Sequence, residues 1–110
     1  MPEPAFAIYV TRQGADDADA AKETMRALGS ELRPRYDDGR LTGFEVVAVL
    51  SDEHYVDYEI DEEWLAEEQV GPPPFLYVHV GWDQARPGPG IDDLIARYAL
   101  RELAYIPNPR

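Results

Sequence analysis

Residues 41–85 hold eleven carboxylates and neither lysine nor arginine. The acids are Glu45, Asp52, Glu53, Asp57, Glu59, Asp61, Glu62, Glu63, Glu67, Glu68 and Asp83, and they give this stretch a formal charge of −11 against −12 for the whole chain. Ionised carboxylates are almost never buried without a partner. The stretch must therefore fold with its charges in water, around the apolar residues it can offer to a core. The rest is close to balanced, with eight acids and six bases in residues 1–40 and three acids and four bases in residues 86–110. The acidity thus belongs to one segment. A localised field of this sign attracts cationic partners and repels nucleic acid and anionic membrane.

The chain is 45% apolar and 11% aromatic, unlike a disordered acidic tail, so the charge sits on a folded body. A chain of 110 residues is expected to form a single α+β domain, residues 1–110, with one modest core. There is no cysteine, which removes disulfides, thiolate metal sites and cysteine nucleophiles. The start, Met-Pro-Glu-Pro, has no basic n-region, and no apolar run approaches the roughly 18 residues of a membrane span. A soluble cytoplasmic protein with no membrane partner is expected.

Residues 5–12 read as a central strand, with Phe6, Ile8 and Val10 on one face and Ala5, Ala7 and Tyr9 on the other. Residues 16–31 read as a helix capped by Asp16 or Asp17, its apolar stripe made of Ala18, Ala21, Met25, Leu28 and Leu32 and its exit bracketed by Gly29 and Pro34. Residues 43–50 form the most apolar, β-branched run and read as a buried strand. Residues 54–60 alternate, which predicts a strand with Val56, Tyr58 and Ile60 toward the core and Tyr55, Asp57 and Glu59 toward water, joined to the previous strand by a turn at Ser51-Asp52-Glu53. Residues 61–69 predict a short acidic helix capped by Asp61 and terminated by Gly71-Pro72-Pro73-Pro74. Residues 75–82 predict a strand with Leu76, Val78, Val80 and Trp82 on one face, and residues 91–103 a helix opened by Asp92 and Asp93. A short edge strand at 104–106 would stop at Pro107. The order predicts a two-layer α+β domain: a mostly antiparallel sheet with two main helices on one face, plus the short acidic helix. A ferredoxin-like core decorated by residues 52–73 is one candidate.

Tyr55, Tyr58 and Trp64 lie among the nine carboxylates of residues 52–68. Tyrosine and tryptophan are frequent binding anchors, and surrounding acids steer and complement a basic partner. The leading reading is a binding module that inhibits or masks a basic protein, for example a nuclease or another nucleic-acid-binding protein. Its docking residues would be Tyr55, Asp57, Glu59, Glu62, Glu63, Trp64, Glu67 and Glu68. In size, charge and aromatic content alone the chain is similar to small acidic immunity proteins, antitoxins and nucleic-acid-mimic inhibitors. The competing, plainer reading makes Tyr58 and Trp64 core residues and the acids a solvated edge that blocks sheet-to-sheet association.

Other chemistry finds less support. His54, Asp57, Glu59 and His79, with Asp52 and Glu53 nearby, are metal-ligating types, but strand parity puts His54 and Asp57 on opposite faces. No metal or other cofactor is expected. No serine sits in a nucleophile elbow. Gly88 and Gly90 precede a helix whose first turn carries Asp92 and Asp93, which disfavours phosphate there. The bases are too dispersed for direct nucleic-acid binding. One alternative is a dimeric ligand-binding protein or enzyme whose pocket is lined by Tyr9, Phe75, Tyr77, His79 and Trp82, with His79 as acid or base. Another is a structural or assembly subunit joined through a strand edge.

Overall fold

The computed structural model describes residues 4–83 and 85–106. The expected stop at Pro107 and the first three residues of the N-terminal motif lie outside them. The elements are β1 (Pro4–Thr11), α1 (Ala18–Asp37), β2 (Gly43–Val49), α2 (Glu53–Asp57), α3 (Glu62–Glu67), β3 (Phe75–Asp83), α4 (Asp92–Tyr98) and β4 (Arg101–Ile106). The strands form one sheet in the order β2-β3-β1-β4, and every neighbouring pair is antiparallel. The fold is thus α+β, an antiparallel sheet with several helices.

The two central strands carry the main core because both have an unbroken apolar face. Ala5, Ala7 and Tyr9 of β1 sit opposite Trp82, Val80 and Val78 of β3, and all six are buried. Leu28 and Leu32 of α1, and Leu94 of α4 with its flanking Ile91 and Leu100, close over them. The small Ala5 and Ala7 flank the large Trp82, the kind of size alternation that fills a sheet–helix layer without voids. The Trp82 indole N–H donates to the Arg86 carbonyl at 3.2 Å.

Asp17 caps α1 as its sequence suggests, its Oδ1 accepting from the Ala20 N–H at 2.8 Å. The helix does not end near Gly29, however. It continues through Pro34 to Asp37. Tertiary anchoring holds that last turn: Arg35 reaches Asp93 on α4 at 2.7 Å, and the Leu41 N–H donates to the Arg35 carbonyl at 3.0 Å. The final helix is shorter than the periodicity predicts, stopping at Tyr98 because Ala99 turns left-handed (φ 52°). Leu100 N–H then donates back to the Ile95 carbonyl at 3.0 Å. The chain reverses and β4 begins at Arg101, where a helix was expected. A left-handed alanine costs roughly 1–2 kcal/mol that glycine avoids. Ala99→Gly is therefore expected to stabilise the protein by about 1 kcal/mol in urea denaturation, whereas an alanine in an ordinary helix would lose stability on the same change.

The opposite sheet face is partly covered as well. Val10, Val47, Val49 and Phe75 form a second core with Tyr55, Ile60, Leu65 and Val70 from the β2–β3 connection. The expectation of two layers is corrected accordingly: α2 and α3 add a partial third layer on the face away from α1 and α4.

Candidate functional site: the acidic β2–β3 insert

Residues 54–60 are not a strand. β2 pairs through Gly43–Val49 with β3 and lies at the sheet edge, and the chain leaves it into α2. His54 drives that exit: its Nδ1 accepts from the Leu50 N–H at 3.0 Å. At the other end Glu59 turns left-handed (φ 56°). Glu59 N–H donates to the Val56 carbonyl at 3.2 Å and Ile60 N–H to the Tyr55 carbonyl at 2.8 Å, the paired bonds of a Schellman cap. α3 repeats this closure, with Gln69 left-handed (φ 59°), Gln69 N–H donating to Ala66 and Val70 N–H to Leu65, each at 3.1 Å. Asp61 caps α3 as expected, accepting from the Trp64 N–H at 3.1 Å.

The helix changes which residues face the core. Tyr55, expected in water, is buried at 6% exposure, while Val56, expected in the core, is 81% exposed. Tyr58, also expected inside, is 47% exposed. Ile60 is buried as expected, and Trp64 is half-buried against the second core. Asp57, Glu59, Glu62, Glu63 and Glu67 are exposed, and Glu68 is half-buried.

Among the described residues these carboxylates have almost no basic partners. Of the nine at residues 52–68, only Glu68 has a described basic nitrogen within salt-bridge distance, Arg101 Nη2 at 4.0 Å. Other bases are engaged elsewhere: Arg33 with Asp37, Arg40 with Asp38, Arg35 with Asp93, and Arg97 with Glu31 and Asp93. The Arg97 hydrogen bond holds the Glu31 carboxyl below its ordinary pKa, and the Arg35 hydrogen bond does the same for Asp93. The two arginines that hydrogen-bond the insert serve its backbone. Arg12 Nε and Nη2 donate to the Val70 carbonyl at 3.1 and 2.7 Å, Nη1 donates to the Pro74 carbonyl at 3.2 Å, and Nη2 also reaches the Pro72 carbonyl. Arg101 Nη2 donates to the Glu68 carbonyl. Gly71, at φ 83°, leaves room for this clamp, since a Cβ there would lie 2.7 Å from Arg12 Nη2. Apart from the long Arg101–Glu68 contact, the side chains that fasten the insert therefore leave its charge uncompensated.

Between α2, α3 and the 71–73 loop lies a solvent-open cleft of about 520 Å³. Tyr55, Leu65, Ala66, Pro72 and Pro73 give it apolar walls, and Asp52 and Glu62 bring charge. Burial, reinforced by Glu62 and Asp52 and opposed by Arg12, holds the Tyr55 hydroxyl above the usual phenol pKa.

The pocket imagined around His79 is not assembled. Tyr9 and Trp82 face the α1–α4 core, whereas Phe75, Tyr77 and His79 alternate onto the other side of the sheet. His79 is half-buried, edge-on to Phe6 at 5.4 Å, directly across from Glu45 on β2. It borders an open groove with Phe6, Phe44 and Glu45 instead of pointing into a closed cavity. Among the described residues no three His, Asp or Glu side chains are placed to hold a metal ion, and no helix is long and apolar enough to cross a membrane. No protein-family model matches this chain, and no curated protein or solved structure matches it either.

Proposed function

We propose that the insert between β2 and β3 is a protein-binding surface, and that this cytoplasmic protein inhibits or masks a basic partner of the nuclease or nucleic-acid-binding kind. The observation that carries this reading is the set of exposed carboxylates on and around two short helices anchored to the sheet, nearly all of them without a basic partner among the described residues. An ordinary solvated face would be interspersed with lysines. Here the like charges stand uncompensated, so a cationic surface gains both attraction and relief of their repulsion. Asp57, Glu59, Glu62, Glu63 and Glu67 are the docking charges, with Glu68, half-buried beside Arg101, at their edge. Trp64, half-buried, is the aromatic at its margin, and Tyr55 contributes from below the surface. We read the sheet and its two larger helices as a ferredoxin-like core whose β2–β3 hairpin carries this insert. The strand order and the two helical crossovers support that assignment.

The test is a pull-down from native lysate at low salt with the wild-type chain and an Asp57→Lys/Glu67→Lys variant as baits. A basic protein retained by the wild type, lost from the variant and eluted by salt supports the reading. Equal capture by both baits, or retention insensitive to salt, refutes it.

A further inference from the structure

We infer that the cleft between α2, α3 and the 71–73 loop receives an arginine side chain presented by the basic partner, an assignment that rests on the reading of the insert as a binding surface. The cleft is more than a patch of acids. Tyr55 is more than nine-tenths buried, yet it lines the opening. Among the described residues the side-chain hydrogen bonds that touch the insert belong to Arg12, Arg101, His54 and Asp61, and the Tyr55 hydroxyl takes part in none of them. Among the described residues it is also not one of the fully enclosed polar atoms without a partner, so it keeps contact with solvent, and because Tyr55 lines the cleft a bound cation can offer this oxygen a hydrogen bond there.

The walls select the cation. Asp52 precedes α2 and Glu62 opens α3, so the two carboxylates approach from different elements. A planar guanidinium with five divergent N–H groups can bond both and still reach the Tyr55 oxygen. Its flat faces and methylene stem suit proline, leucine and aromatic walls, whereas an ammonium is a compact, strongly hydrated point charge. The volume, about 520 Å³, exceeds one side chain and leaves room for the flanking backbone of a peptide. The protein's own Arg12 does not fill the space, because its donors are held by the Val70, Pro72 and Pro74 carbonyls behind Gly71.

The experiment is an NMR titration of the isotope-labelled full chain with N-acetyl-arginine amide, its lysine and citrulline counterparts, spermine, and a hexaarginine peptide. Arginine amide is expected to shift the signals of Tyr55, Leu65, Ala66 and Gly71. Lysine amide should bind at least fivefold more weakly at those residues and citrulline amide not measurably. An Asp52→Asn/Glu62→Gln variant that keeps the wild-type spectral dispersion should lose at least tenfold in arginine affinity, and Tyr55→Phe about threefold. Equal responses to arginine and lysine, or tighter binding of spermine at the same residues, would overturn the assignment. If hexaarginine moves Glu53, Asp57, Glu63 and Glu67 while Tyr55, Leu65 and Ala66 stay put, the cleft is wrong and the acidic docking surface stands. Silence toward both arginine amide and hexaarginine removes both.

Discussion

Replacing Phe75 with alanine is expected to lower the unfolding free energy by about 3–5 kcal/mol, the range for emptying a fully buried aromatic site. Phe75 is 0% exposed and begins β3, yet its ring faces away from the main core. It packs with Val10, Val47 and Val49 of the sheet and with Tyr55, Ile60, Leu65 and Val70 of the insert. Its ring lies 6.4 Å from that of Tyr55, and the Arg12 guanidinium sits over it at 5.7 Å. One substitution thus weakens both the apolar seat of the insert and the surface on which its clamp rests. The readouts are denaturant unfolding and amide hydrogen exchange. Exchange at Ile60 and Val70, whose N–H groups close the two helices, should accelerate more than exchange at Val78 and Val80 in the main core. A loss below 1 kcal/mol with Ile60 and Val70 still protected would mean that the Arg12 and Arg101 bonds alone hold the insert.

The main core was legible because its signals agree. Strand alternation in residues 5–12 and 75–82 names the faces that meet α1 and α4, and the stripe ending at Leu28 and Leu32 names the helix that covers them. At residues 54–60 of the insert, local pattern and tertiary structure conflict. His-Tyr-Val-Asp-Tyr-Glu-Ile alternates like a strand, and helix ends are usually recognised by a glycine at the left-handed position. Glu59, Gln69 and Ala99 occupy that position instead, so neither the end of α2 nor that of α4 is marked in the sequence. What a strand reading separates, the Schellman closure unites, since Tyr55 and Ile60 have opposite strand parity but pack together at one helix end. The acidic site was visible as charge, because composition alone puts nine carboxylates in residues 52–68. The cleft was not, because it depends on Tyr55 turning inward. Nor was the role of Arg12, whose partners are backbone carbonyls about sixty residues away that no side-chain pattern announces.

The uncompensated charge should carry a measurable stability cost, and its sign separates a functional surface from a neutral coat. Glu53 and Asp57 are four residues apart on α2, as are Glu63 and Glu67 on α3. Each is a like-charge i,i+4 pair, destabilising by roughly 0.2–0.5 kcal/mol, and Asp57 and Glu67 also end their helices, where a negative charge opposes the dipole. Asp57→Lys/Glu67→Lys turns both pairs into attractions of the favoured orientation and corrects both helix ends. Two reversals of two units each move the formal charge from −12 to −8. The variant is expected to be more stable than wild type by about 1–2 kcal/mol at 10 mM salt. Most of that gain should vanish at 1 M salt, where the screening length falls from roughly 30 Å to about 3 Å. The same variant is expected to lose the basic partner, so stability and binding should move in opposite directions. That opposition is typical where function retains locally unfavourable residues. Equal stability of the two proteins at 10 mM salt would show that the folded insert tolerates its charge without strain. The acids would then be a solvated edge that keeps sheets apart, and the case for a cationic partner would lose its physical basis.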